Sequence, residues 1–199
     1  WLEALCGCRV TVADGKSLWP EPLDGSGMAD IVLTEDNPWL GALLRVLQRV
    51  VQHAAGRYAV GLSHLRGPAD VLAARLGSQR FLLAVCDDLE RIAALARQVA
   101  RVWLAVARAQ ARIVPPYRGG YGVRQFGLWA PAPAVWLQDD TSSMLSLGHY
   151  RRLFLAALGE MSAFPYGVLH LHIPSLHLAE TLAQVPNVRA INLYMDSEK

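Results

Sequence analysis

The chain has 199 residues, of which 53% are hydrophobic and 18% charged, and its net charge is +2 at neutral pH. This excludes a disordered chain, supplies one substantial core, and gives no electrostatic reason to expect nucleic acid or an anionic membrane as partner. No apolar run is long enough to span a bilayer. The first residue is Trp1 rather than Met and no basic leader precedes it, so the expectation is a chain without a secretory signal whose natural start lies upstream. Cys6, Cys8 and Cys86 are an odd number, which cannot pair fully within the chain and fits a reducing, cytoplasmic setting. Without a second Cys or His pair at finger spacing, Cys6 and Cys8 read as small buried side chains rather than half a metal site.

Taken in order, Arg9-Val-Thr-Val12 reads as a strand, and Leu18-Trp-Pro-Glu-Pro-Leu23 with Asp24-Gly-Ser-Gly27 reads as loop. Asn37-Pro38 opens the first strong helix, as cap and first helical residue. Trp39, Leu43, Leu47, Val50 and Ala54 form its apolar face, and Gly56 is placed to end it. Tyr58-Ala-Val-Gly-Leu62 reads as a buried strand, followed at once by Ser63, His64 and Arg66. Gly67-Pro68 starts a helix with Asp70 in its first turn, and a short helix around 80–85 follows. Asp87-Asp88 cap a long helix to about Arg112, in which Leu89, Ile92, Ala96, Val99, Trp103 and Val106 recur at helical spacing. Glu90, Arg97, Arg101, Arg108 and Arg112 lie opposite. With no aromatic platform among them, that row reads as a solvated face rather than a nucleic-acid surface.

Pro115-Pro-Tyr-Arg-Gly-Gly-Tyr-Gly122 is a loop that lacks the Lys-Ser/Thr of a phosphate loop. Ala134-Val-Trp-Leu137 reads as a strand, with Gln138, Asp139, Asp140 and Thr141 directly after it. A helix over 147–161 follows, capped by Ser146. Tyr166-Gly-Val-Leu-His-Leu-His172 reads as a buried strand running into a helix over 176–184. Side chains alternate along a strand, so His170 and His172 share one face. Such a pair reads either as metal ligands or as one hydrogen-bonded core histidine beside a solvated one. Val188-Arg-Ala-Ile-Asn-Leu193 is the last strand, with Asp196 beyond it.

Strands alternating with helices predict a parallel sheet covered by helices. Polar residues cluster after four successive predicted strands, and in such sheets those ends share the face where active sites are built. A full (β/α)₈ barrel needs about 250 residues, so the expected fold is α/β, a partial barrel of this type forming one domain over 1–199. An open doubly wound sheet is the alternative, but the chain lacks a Gly-x-Gly-x-x-Gly dinucleotide loop.

Several segments together resemble the uroporphyrinogen decarboxylase superfamily. They are Ser17-Leu-Trp-Pro-Glu-Pro-Leu23, Gly67-Pro-Ala-Asp70, Val135-Trp-Leu-Gln-Asp-Asp-Thr-Ser-Ser-Met-Leu-Ser146, Gly167-Val-Leu-His-Leu-His172 and Glu180-Thr-Leu-Ala-Gln184. The resemblance implies a (β/α)₈ barrel and one of two chemistries. In the decarboxylase branch, arginines hold a carboxylate-rich tetrapyrrole. Here those would be Arg66, Arg118 and Arg124, but Asp140 stands where that branch has a serine, and its tyrosine falls near Ala73 or Ala74.

The zinc-dependent methyltransferase branch acts on corrinoid proteins and ends the corresponding strand in His-x-Cys. His170 matches the histidine and His172 stands where the cysteine would be. Imidazole is a competent zinc ligand, so a Zn²⁺ site on His170 and His172 is expected. Fewer thiolates would leave the metal more electrophilic, which sets thiol methylation in particular in question.

The resemblance favours metal-assisted methyl transfer to or from a small molecule, with a corrinoid partner. His64 and Asp140 are the expected catalytic groups. Arg66, Asp139, Arg118 and Arg124 are the expected substrate-binding groups. Asp139 or Asp140 could also ligate the metal, orient an imidazole, or simply cap the following helix, the capping role weighing as much as the other two together. A non-catalytic barrel fragment is the third reading, and its open sheet edges would invite self-association.

Overall fold

The structure is a computed structural model that describes residues 1–195 except 14, 16, 26 and 124–126, with only the backbone at 13 and 17. Arg124 and Asp196 therefore lie outside the described residues. A short helix α1 (Leu2–Leu5) leads into an antiparallel hairpin of β1 (Arg9–Ala13) and β2 (Ser17–Glu21). The segment expected as loop from Leu18 is thus largely strand. Pro20 fits there, opposite Val10, because each strand of a two-stranded ribbon has one edge that needs no N–H donor.

Helix α2 (Pro38–Ala54) starts as read, with the Asn37 side chain accepting from the backbone N–H groups of Trp39 (3.0 Å) and Leu40 (3.3 Å). It ends at Ala54, two residues before Gly56, with Ala55 itself left-handed at φ 44°. Leu43, Leu47 and Ala54 are buried as expected, but Val50 is exposed.

The stretch 58–62, expected as a buried strand, has no strand geometry and lines an open groove with Val46 and Val50. The chain reaches the sheet only after Ser63, whose N–H donates to the buried Gln110 Oε1 at 2.8 Å. The parallel strand is β3 (Leu65–Arg66). Helices α3 (Pro68–Leu76), α4 (Ser78–Asp87) and α5 (Leu89–Ala111) follow, the last capped by Asp88 accepting from Arg91 N–H at 3.2 Å. A second hairpin, β4 (Tyr121–Val123) with β5 (Leu128–Ala130), precedes β6 (Ala134–Gln138). After a 3₁₀ turn over Asp140–Met144 comes α6 (Leu147–Met161), with Ser146 accepting from His149 N–H. Then come β7 (Tyr166–His172), a 3₁₀ turn (Ile173–Leu178), α7 (Ala179–Ala183) and β8 (Val188–Tyr194).

The sheet is parallel and ordered β3-β6-β7-β8, so the α/β class holds. Its two faces follow from the strand period of two. Val135, Leu137, Leu169 and Leu171 face the helices and join the main core with Ile92, Val99, Trp103 and Phe154. Trp103 is 1% exposed and meets Phe164 edge to face at 5.9 Å, so its truncation to Ala would cost about 3–5 kcal/mol. The outer side of α5 is solvated: Arg101, Arg108 and Arg112 are exposed, and Arg101 pairs with Glu160 at 3.2 Å. Cys6 and Cys8 are buried; burial pushes the Cys8 thiol up to about 11 and that of Cys6 higher still. Among the described residues no helix is long and apolar enough to cross a membrane.

The opposite face carries a layer of Trp136, Val168 and Ala190, which pair in register across β6, β7 and β8. Two residues further along every strand the layer becomes polar. Arg66, Gln138, His170 and Asn192 stand side by side, one from each strand.

Candidate metal centre

His170 sits in that polar layer and is only 9% exposed. Its ring lies edge-on to Trp136, with centroids 5.4 Å apart. Its Nδ1 is 2.7 Å from Asn192 Oδ1, so the amide oxygen accepts the Nδ1–H and leaves the Nε2 lone pair directed outward. His172, two residues on and half-buried, brings its Nε2 to 3.3 Å from His170 Nε2. Asp140 Oδ1 lies 3.7 Å from His172 Nε2, and the other Asp140 oxygen accepts from the Gln138 amide. Tyr194 closes one side, its ring 5.3 Å from that of His172.

One ligand atom from each of Asp140, His170 and His172 falls within 4.8 Å of the others. Two nitrogens bound to tetrahedral zinc at about 2.0–2.1 Å are separated by roughly 3.3–3.4 Å. The spacing of the two Nε2 atoms matches that edge. The donor set, two imidazoles and a carboxylate, is also one that zinc accepts while leaving a position open.

Asp139 goes elsewhere. It was expected to bind substrate, ligate metal or cap the following helix. Instead it is 6% exposed and points inward, where its Oδ1 accepts the Asp70 N–H at 2.9 Å, holding the first turn of α3, the helix that follows the neighbouring strand β3. Gly67 makes room for it: a Cβ at 67 would lie 2.3 Å from the Asp139 carboxyl carbon. Asp70 returns the link, its Oδ1 accepting the Thr141 N–H at 2.8 Å. The two turns after β3 and β6 are thus braced reciprocally.

Burial holds both carboxyls above their ordinary range. Their mutual repulsion adds to the effect at Asp139, and the backbone amides of Asp70 and Thr141 oppose it. The Tyr150 phenol is pushed up as well, first by burial and then by these two aspartates.

Arg66 and His64 line a cleft of about 450 Å³ between α1, α3 and the first hairpin, together with Thr141. The Arg66 guanidinium already faces two carboxylates, Glu3 at 3.3 Å and Asp70 at 3.7 Å. The His64 ring lies 4.9 Å from that of Trp136, tilted against it by 46°. Protein packed around its ring lowers its pKa, with the positive charge of Arg66 acting in the same direction. Ala73 and Ala74 also face the cleft.

Arg118 is not brought to this place. It sits exposed in the turn before β4, at φ 48°, with its guanidinium 5.4 Å over the Tyr117 ring. Sequence reasoning missed Asn192 and Glu3. Asn192 had a signal, since it alternates in step with Ala190 on the last strand; Glu3 had none before the packing of α1 was known.

The elements and site thus define an α/β protein with polar groups gathered at the C-terminal ends of parallel strands. Neither a known protein family nor a curated protein matches the sequence. Among solved structures, the fold is similar to that of a methyltransferase from Methanosarcina mazei, with a TM-score of 0.67 at 12% identity over 93% of this chain and 52% of that one. At this identity the likeness is one of fold, and the chain spans about half the length of that methyltransferase.

Proposed function

We propose that the chain is an arc of a (β/α)₈ barrel of the uroporphyrinogen decarboxylase superfamily, and that it performs zinc-assisted methyl transfer with a corrinoid partner. The observation that carries the reading is the 3.3 Å separation of the His170 and His172 Nε2 atoms, with Asp140 beside them at the strand ends. His170 and His172 would hold the ion, with Asp140 as third ligand. Bound there, zinc would supply Lewis acidity that lowers the pKa of a thiol or hydroxyl and makes it a nucleophile. Asn192 keeps His170 in the ligating tautomer. Gln138 orients Asp140. Arg66 and His64 face the adjacent cleft, where they anchor substrate or move its proton.

Cofactor-free decarboxylation of an acidic tetrapyrrole gains less from this geometry. Arg118 stands apart from Arg66, and Arg66 is flanked by Glu3 and Asp70, which repel carboxylates.

The test is zinc stoichiometry and affinity of the chain beside a His170→Ala/His172→Ala double variant. Near-stoichiometric zinc, lost in the variant, is the expected outcome. An Asn192→Ala variant should bind zinc about 10–100-fold more weakly. Absence of zinc binding, with unchanged stability in the double variant, overturns the metal reading.

A further inference from the structure

The two turns that follow the ligand-bearing strands are joined by a histidine outside the ligand set. Asp140 opens the 3₁₀ turn after β6, which runs out at Leu145, only 4% exposed. His172 leads into the 3₁₀ turn after β7, which holds Pro174 and His177. The His177 ring lies across both. Its Nε2 is 2.8 Å from the Leu145 carbonyl oxygen, at the end of the first turn. Its Nδ1 is 3.0 Å from the Pro174 carbonyl oxygen, within the second.

A carbonyl oxygen only accepts, and a neutral imidazole has one N–H and one lone pair. With the proton on Nε2, the Nδ1 lone pair faces the Pro174 oxygen. With the proton on Nδ1, the bond to Leu145 is lost and two lone pairs meet there instead. The imidazolium, with two N–H groups, donates to both. His149 differs, because its Nδ1 meets the Ser146 hydroxyl, which can donate as well as accept.

We propose that His177 is a proton-operated staple, which closes in acid and holds the turn carrying Asp140 against the turn that follows His172. Imidazole is the side chain that ordinarily changes charge between pH 5 and 8, which sets the working range. The charged and titratable groups on the elements packed against this turn are Asp140, His170, His172 and Glu180, with His149 and Arg151 beside them on α6. The carboxylates favour the added charge and Arg151 opposes it. His177 is a positioning residue, because it acts on the candidate centre only through Asp140, 3.7 Å from His172. That consequence rests on the metal reading, whereas the staple itself does not.

The experiment follows the backbone carbonyl carbon resonances of Leu145 and Pro174 in the zinc-free chain from pH 8 to pH 5, beside His177→Gln, a change at an exposed position. In the native chain both resonances are expected to move together with the His177 ring protons, and in the variant to stay flat. If either carbonyl stays flat in the native chain, or moves equally in the variant, the ring does not bridge the turns and the proposal falls. Zinc affinity is then compared at pH 6 and pH 8. Ligand protonation weakens zinc in both proteins as pH falls, so the informative quantity is their ratio. The variant is expected to bind several-fold more weakly than the native chain at pH 6, and by a smaller margin at pH 8. A ratio independent of pH reduces His177 to a fixed structural contact and overturns its control of the centre. Titrating carbonyls in a chain that binds no zinc break the metal reading and leave the staple standing.

Discussion

Asp139 and Asp140 are neighbours in sequence and occupy opposite environments. Asp139 turns inward, its carboxyl pressed against Gly67 and bonded to the first turn of α3. Asp140 turns outward, about one-third exposed, toward His172. The inner turn is closed: its polar atoms serve the backbone, and burial raises the pKa of both its carboxyls. The outer layer is partly open, and its donors converge without being consumed by helix ends. The same residue type is thus structural in one place and available for chemistry in the other. What separates them is which backbone amides lie within reach.

The largest effect is expected at Gly67. Gly67→Ala puts a methyl 2.3 Å from the Asp139 carboxyl carbon, and neither turn can yield without breaking the brace. A loss of about 3 kcal/mol is expected in denaturant unfolding. A shift below about 0.5 kcal/mol, the level of an ordinary surface change, would show that the brace is loose.

Asp139→Ala should cost about 1–3 kcal/mol by stranding the Asp70 N–H inside the protein. Asp139→Asn keeps an acceptor oxygen and should recover most of that loss. If Asn were as damaging as Ala, the carboxylate charge rather than the cap would be what the fold needs.

Asp140→Ala sharpens the contrast from the other side. Its effect on stability should stay within about 0.5 kcal/mol, while zinc affinity falls by an order of magnitude or more. Equal losses of stability at 139 and 140 would erase the distinction drawn between them.

The smallest effect concerns His64. Its folded-state pKa is lowered, so as pH falls through the unfolded value of about 6.5 the unfolded chain takes up the proton first and stability declines. Above that pH the group contributes nothing. His64→Gln should flatten the stability profile between neutral and mildly acid pH; an unchanged slope would assign it to other groups.

Much of this was legible in the sequence where the physics is local. Asn37, Asp88 and Ser146 cap their helices through hydrogen bonds to amides two or three residues on. Apolar spacing alone marked the buried side of α5. Strand alternation set His170 and His172 on one face, because the period of two belongs to the strand and not to its neighbours.

Tertiary structure decided the rest. The stretch 58–62 is apolar enough for a strand, but on its edge away from β7 strand β6 pairs with Leu65 and Arg66 instead. Asp139 is expected from the sequence to bind substrate, to ligate or orient at a metal, or to cap the helix that follows it, but a backbone amide 69 residues upstream claims it instead. Asn192 reached His170 through the register of β7 with β8, and Glu3 met Arg66 only once α1 had packed beside β3. Residue types and periodicities travel with the chain; register and long-range proximity exist only once the strands have paired and the helices have packed.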